Sequence, residues 1–110
     1  MALMLTNAGA TVTSCNSATR ELTEITKKAD IIIVAAGSPE LLTREMVTEK
    51  SIVIDVGSTF VDGIGRGDAD YENLKDYVRA ITPVPGGVGP MTVVTLIENT
   101  WRAFQSQSRN

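Results

Sequence analysis

The sequence predicts an α/β domain built on a mostly parallel sheet flanked by helices. One sign is the uninterrupted apolar run Ile31-Ile32-Ile33-Val34-Ala35-Ala36, joined by a second, Ile52-Val53-Ile54, inside Ser51–Gly57. Runs without polar alternation suit parallel strands covered on both faces. A second sign is that stretches of helical spacing separate the strands, as right-handed crossovers require. A third is where the strands stop: Gly37, Gly57 and the glycines after Pro83 close three of them. Ligands of open parallel sheets bind beyond those carboxyl ends.

Each element follows from local chemistry. Residues 1–8 read as the tail of a helix, with Leu3, Met4 and Leu5 apolar and Asn7-Ala8-Gly9 as its stop. The β-branched run in Ala10–Cys15 predicts a short strand, with Asn16-Ser17 as its polar end. Thr19 is placed to cap a helix over Arg20–Lys28 that carries Leu22, Ile25 and Ala29 on one face. Ile31–Ala36 is the next strand, followed by a short helix from about Thr43 to Glu49 and a buried strand over Ser51–Gly57. Phe60–Gly67, with three glycines and Asp62, reads as a loop or small hairpin. A helix over Tyr71–Val78 turns Leu74 and Val78 inward, and Ala80–Thr82 is the last strand. The final helix runs from Pro90 to about Gln105, with Val94, Ile97, Trp101 and Phe104 on one stripe and a polar, frayed tail to Asn110.

Composition narrows the function classes. At 110 residues the chain forms one domain at most. Its 43% hydrophobic and 21% charged content is that of a soluble globular protein. A net charge of -3 offers no footprint for nucleic acid or an anionic membrane, and no apolar stretch approaches a membrane span. The start lacks a basic leader, and the single cysteine, Cys15, fits a reducing cytoplasm; we expect it small and buried or half-buried. The chain has no histidine, which makes a zinc hydrolase or a Ser-His-Asp nucleophile a poor hypothesis.

The stretch Ile81-Thr82-Pro83-Val84-Pro85-Gly86-Gly87-Val88-Gly89-Pro90-Met91-Thr92 stands out. Pro83 and Pro85 hold it extended as it leaves a strand, and Pro90 suits the first turn of a helix. The glycines between them let backbone approach a ligand with no Cβ in the way. Read alone, this stretch is either a tight turn that binds nothing or one wall of a ligand site. Among the acidic residues, Asp55 suits a structural acceptor for loop N–H groups at least as well as a ligand contact. Asp68 and Asp70 read as a helix cap and a solvated charge, and Trp101 and Phe104 as core or domain contacts.

These segments together resemble the bifunctional methylenetetrahydrofolate dehydrogenase/methenyltetrahydrofolate cyclohydrolase family. The likeness rests on Ala10–Thr13, Ala29–Gly37, Val53–Gly57, Gly67-Asp68, Leu96–Thr100 and above all Ile81–Thr92. It spans nearly the whole chain in one register. It implies residues 1–110 as one partial, Rossmann-like NAD(P)-binding domain, with NADP, or in some members NAD, as cofactor. The family oxidises 5,10-methylenetetrahydrofolate and hydrolyses the methenyl product to 10-formyltetrahydrofolate. By motif position, Asn16 and Ser17 would lie near the adenosine ribose or its 2′-phosphate, Gly37 and Ser38 beside the cofactor, and Ser58 near the nicotinamide. Thr92 would reach the cofactor from the helix start. Pro85, Gly86, Gly87, Val88 and Gly89 would face tetrahydrofolate derivatives. Ser58 and Asn16 depart from the family, which commonly has an apolar residue at the first position and often His at the second.

The resemblance also implies what this stretch lacks. In the family a folate-binding domain with a Tyr-x-x-x-Lys motif comes first, then a central first strand and a Gly-Arg-Ser phosphate loop. The chain therefore reads as a carboxyl-terminal portion without the central strand, with no catalytic residue and no metal ligand assigned, and no turnover is expected of it alone. Thr11–Cys15 and Ile31–Ala36 would then have free edges, predicting either a homo-oligomer or association with a folate-domain chain, or direct pairing of the two strands. A non-catalytic module and an inert fragment are the alternative readings.

Overall fold

In the computed structural model, which describes residues 1–108, helix α1 (Ala2–Asn7) leads into α2 (Leu22–Thr26) and strand β1 (Ile31–Val34). A 3-10 turn (Arg44–Met46) precedes β2 (Ile52–Asp55), β3 (Thr59–Val61) and β4 (Ile64–Arg66). Helix α3 (Tyr71–Leu74), β5 (Ala80–Ile81) and the long α4 (Val88–Ser108) complete the order. The main sheet is parallel, in the order β1-β2-β5. Its register pairs Ile31 with Ile52, Val34 with Asp55 and Val53 with Ile81.

The sheet buries one face. Ile32, Val34 and Val53 point into a core completed by Leu42, Val47, Ala69, Leu74 and Val78. Leu74 and Val78 turn inward as their spacing predicts, Leu74 with no exposed surface. The opposite face differs from expectation: Ile33, Ile52 and Ile54 are half-buried and Ile31 is exposed. An apolar run thus marks a strand without guaranteeing that a helix layer covers both sides. Residues 59–66 form a hairpin, β3 antiparallel to β4, turning at Asp62-Gly63. Both turn residues have positive φ, 52° and 79°, as a two-residue hairpin with Asp-Gly favours.

Several expected elements are shorter or missing. Thr11–Cys15 forms no strand, and it does not pair with β1, so direct repair of the sheet does not occur. A strand is held by ladder bonds to a neighbour, and β-branched residues without one stay irregular. Cys15 is consequently exposed rather than buried. Thr19 does not cap α2: its hydroxyl accepts the Asn16 N–H at 2.8 Å, and Glu21 occupies the cap position in a left-handed conformation. The helix expected over Thr43–Glu49 contracts to one 3-10 turn, after which the Ser51 hydroxyl accepts the Thr48 N–H. Helix α4 runs on to Ser108, so Gln105–Ser108 are helical; the frayed tail expected at Arg109 and Asn110 lies outside the described residues. Val94, Ile97, Trp101 and Phe104 are exposed on α4, not core, although Trp101 and Phe104 stack on each other.

Candidate functional site

Because β1, β2 and β5 are parallel and in register, their carboxyl ends open on one edge. From β1 the chain passes through Ala35-Ala36 to Gly37 and Ser38, and from β2 through Val56-Gly57 to Ser58. From β5 it passes through Thr82 into the proline-glycine loop. Gly37 has φ 67°, a conformation that disfavours a side chain, and both Ser38 and Ser58 are exposed. Gly37, Ser38, Ser58 and the start of the loop therefore all follow strand ends on the same edge of the sheet.

Two buried carboxylates hold these exits. Asp55 accepts the N–H groups of Gly57 (2.9 Å), Asp68 (3.1 Å) and Ala69 (2.8 Å), while its own N–H donates to Thr82 Oγ1 at 2.8 Å. It is thus the structural acceptor that its place at a strand end suggests. Asp68 departs from the sequence reading. It is wholly buried, and its Oδ2 accepts the N–H groups of Ala36 (2.6 Å) and Gly37 (2.8 Å). Asp70 stands at the start of α3, but its carboxylate accepts from the Asn73 side chain rather than from helix N–H groups.

Glycines make room for both acids. A Cβ on Gly57 would collide with the Asp68 carboxyl, and one on Gly67 with the Asp55 carboxyl and Val84. The proline-glycine loop folds back on itself: the Val84–Pro85 bond is cis, Gly86 has φ 99°, and a Cβ on Gly87 would collide with the Pro83 carbonyl. Pro85, Gly86 and Gly89 are exposed, while Gly87 and Val88 are half-buried as α4 begins. Thr92 lies one turn into α4, exposed, its hydroxyl donating to the Val88 carbonyl at 3.1 Å.

Asn16 and Ser17 stand apart in a turn of their own. The Asn16 side-chain carbonyl accepts the Ala18 N–H at 2.9 Å, and no hydrogen bond among the described residues joins either residue to the Gly37–Ser38 turn. What the sequence reading missed is Asp68. The signal available was Gly67-Asp68 itself, since an acid behind a glycine is a natural acceptor for loop backbone.

With this geometry in view, comparison with known proteins is decisive. Residues 1–108 match the profile of the tetrahydrofolate dehydrogenase/cyclohydrolase NAD(P)-binding domain. The bifunctional protein FolD of Picrophilus torridus is 54% identical over 99 residues, covering 90% of this chain and 36% of that protein. The bifunctional 5,10-methylenetetrahydrofolate dehydrogenase/cyclohydrolase of Thermoplasma acidophilum superposes with TM-score 0.93 at 47% identity, over 98% of this chain and 39% of that one. The Trypanosoma brucei enzyme, solved with NADP cofactor and an inhibitor, superposes with TM-score 0.90 at 39% identity, over 99% of this chain and 40% of that one. This chain therefore spans well under half the length of the proteins it matches. On sequence and fold together, it belongs to the tetrahydrofolate dehydrogenase/cyclohydrolase family, as its NAD(P)-binding domain.

Proposed function

We propose that this domain binds NADP, with NAD as the lesser option, for an enzyme that oxidises 5,10-methylenetetrahydrofolate and hydrolyses the methenyl product to 10-formyltetrahydrofolate. The observation that carries the reading is the convergence of three loops, Gly37-Ser38, Gly57-Ser58 and Thr82–Val88, on the carboxyl edge of one parallel sheet. The exposed surface there fits a flat ring system: a Cβ built on Gly37, Gly86 or Gly89 would meet nothing within 4 Å. Gly37 and Ser38 flank the cofactor and Ser58 lies toward the nicotinamide, which when bound supplies the hydride acceptor. Thr92 approaches from the start of α4. Asn16, whose side-chain carbonyl is already engaged, has its amide N–H₂ to offer a ribose hydroxyl or 2′-phosphate, with Ser17 beside it. Pro85, Gly86, Gly87, Val88 and Gly89 form the wall against the folate, close to the β2 exit through the Asp55–Thr82 bond.

The isolated 110 residues bind without turnover in this reading, and their partner is a folate-binding domain. Helix α4 supports this: Val93, Val94, Ile97, Trp101 and Phe104 share one face and are each 56–66% exposed. The relatives devote over three-fifths of their length to regions outside this match. A second copy of the chain is the competing occupant of that face, favoured by the free outer edge of β1. The single cysteine fits a cytoplasmic setting.

The test is an NADP⁺ titration followed by backbone amide resonances. Shifts confined to Asn16, Ser17, Gly37, Ser38, Ser58 and the start of α4, with no dehydrogenase activity from the chain alone, support the reading. Unmoved amides at saturating NADP⁺, or robust turnover by the pure chain, overturn it. Adding a folate domain from a relative separates the two occupants, since only an authentic partner restores activity.

A further inference from the structure

Asp55 and Asp68 together form a continuous polar ladder across the carboxyl edge of the sheet. It begins at Thr82, whose hydroxyl accepts the Asp55 N–H, and passes through the Asp55 carboxylate to the Asp68 N–H. It ends where Asp68 Oδ2 accepts the N–H groups of Ala36 and Gly37. One end of the ladder is the root of the proline-glycine loop, and the other is the turn beside the first strand exit. The Asp68 bonds reach across 31 and 32 residues of sequence, so they report tertiary placement, not local turn chemistry.

The cost of this arrangement is visible. Asp68 is fully buried, and its Oδ1 is the one buried side-chain oxygen among the described residues that has no protein partner. Gly57 and Gly67 are both constrained to lack a side chain so that the two acids fit. A turn needing only two N–H groups satisfied is served more cheaply by water at an exposed edge, since burying an acid without filling its acceptors is expensive. Gly37, whose N–H takes one of these bonds, is itself exposed and in the left-handed region.

We infer that Asp68 is a positioning residue: it holds the Gly37–Ser38 turn in its cofactor-receiving shape and, through Asp55, ties that shape to the root of the folate-facing loop at Thr82. The inference rests on the proposed reading of Gly37-Ser38 as part of the NADP wall. Asp68 touches no cofactor. It acts by fixing two N–H groups whose carbonyl and side-chain neighbours do.

The experiment compares wild type, Asp68→Asn, Asp68→Ala and Val78→Ala by NADP⁺ titration and amide hydrogen exchange on the full chain. Asparagine keeps the shape and the acceptor but loses the charge, and charge-assisted bonds are roughly twice as strong as neutral ones. Exchange at Ala36 and Gly37 is expected to quicken about tenfold in Asp68→Asn, with NADP⁺ affinity about three- to tenfold weaker and Thr82 resonances displaced. Asp68→Ala extends both losses; if it fails to fold, the asparagine variant carries the test. Val78→Ala destabilises the core away from the ladder and is expected to leave affinity unchanged. Equal affinity and exchange in Asp68→Asn and wild type overturn the inference, as does an equal loss of affinity in Val78→Ala. Failure of NADP⁺ to move the wild-type Gly37 and Ser38 amides overturns instead the cofactor reading on which the inference stands.

Discussion

The segment from Asp30 to Thr82 and helix α4 are both rich in apolar side chains, yet only the first buries them. In the former, Val53 and Leu74 retain 1% and 0% of their surface, while in α4 not one residue is buried. Helical periodicity on α4 is real and serves no core within these residues. A helix of 21 residues carrying several β-branched side chains gains little from propensity alone, so its order depends on packing. Burial is a property of two surfaces, and only one of them can be read from a single amphipathic stretch. The Gly37-Ser38 and Gly57-Ser58 turns belong to the first segment, where Asp68 and Asp55 accept the Gly37 and Gly57 N–H groups.

The largest expected effect lies in the core. Leu74→Ala empties a fully buried site among Val53, Val47 and Ile32 and should cost about 2–5 kcal/mol, read as a lowered denaturant midpoint. For a domain with so small a core, that is enough to unfold most of the population. Retention of the native circular dichroism with an unchanged midpoint would show that the sheet is not held by this cluster.

Next comes Gly67→Ala. Its Cβ would collide with Asp55 and Val84, so either the acid or the proline-glycine loop must move, at about 1–3 kcal/mol. Displacement should appear in the amide signals of Thr82 and Val84 before it appears in global stability. Gly37→Ala is the comparison within the same edge: it meets no neighbouring atom but must hold φ 67°, so its cost is backbone strain, about 1 kcal/mol, without movement at Thr82.

What the sequence made legible follows the same division. β1, β2 and β5 were recognisable from β-branched runs that stop at glycine or proline, while three glycines and Asp62 left Phe60–Gly67 open between a loop and a small hairpin. Thr11–Cys15 misled because it has strand composition and no partner, and composition does not report partners. The glycine and proline frame of the site was readable, since those residues declare backbone geometry by themselves. Asp68 was not, because its meaning depends on Ala36 and Gly37, more than thirty residues away.

On α4 the expectation reverses that of the core. Ile97→Ser with Trp101→Ser removes two large apolar side chains, yet stability of the isolated chain should change by less than about 0.5 kcal/mol per site. The contrast with Leu74→Ala is the point: similar chemistry is deleted, and only the packed site responds. If the double variant destabilises the chain in a concentration-dependent way, α4 is already covered by a second copy, and sedimentation would show the dimer lost.

The smallest effect belongs to a pair inside the packed region that takes no part in its packing. The Glu72 carboxylate, 2.6 Å from the Lys75 ammonium on the next turn of chain, holds the lysine charged above its usual range, first by hydrogen bond and then by charge. A raised folded pKa means that the support of the pair is in place at neutral pH, below the ordinary lysine value, and fades as pH climbs through the folded value. Lys75 lies open to solvent, however, where water and salt screen such a pair almost completely. Lys75→Gln should therefore move the melting temperature by no more than about 2 °C at neutral pH, and the difference should vanish in strongly alkaline buffer. A larger shift, or one insensitive to salt, would mean that α3 is anchored by this contact and not by Leu74 beneath it. The packed region would then owe part of its order to its surface, and the line drawn between it and α4 would need to be redrawn around charge as well as burial.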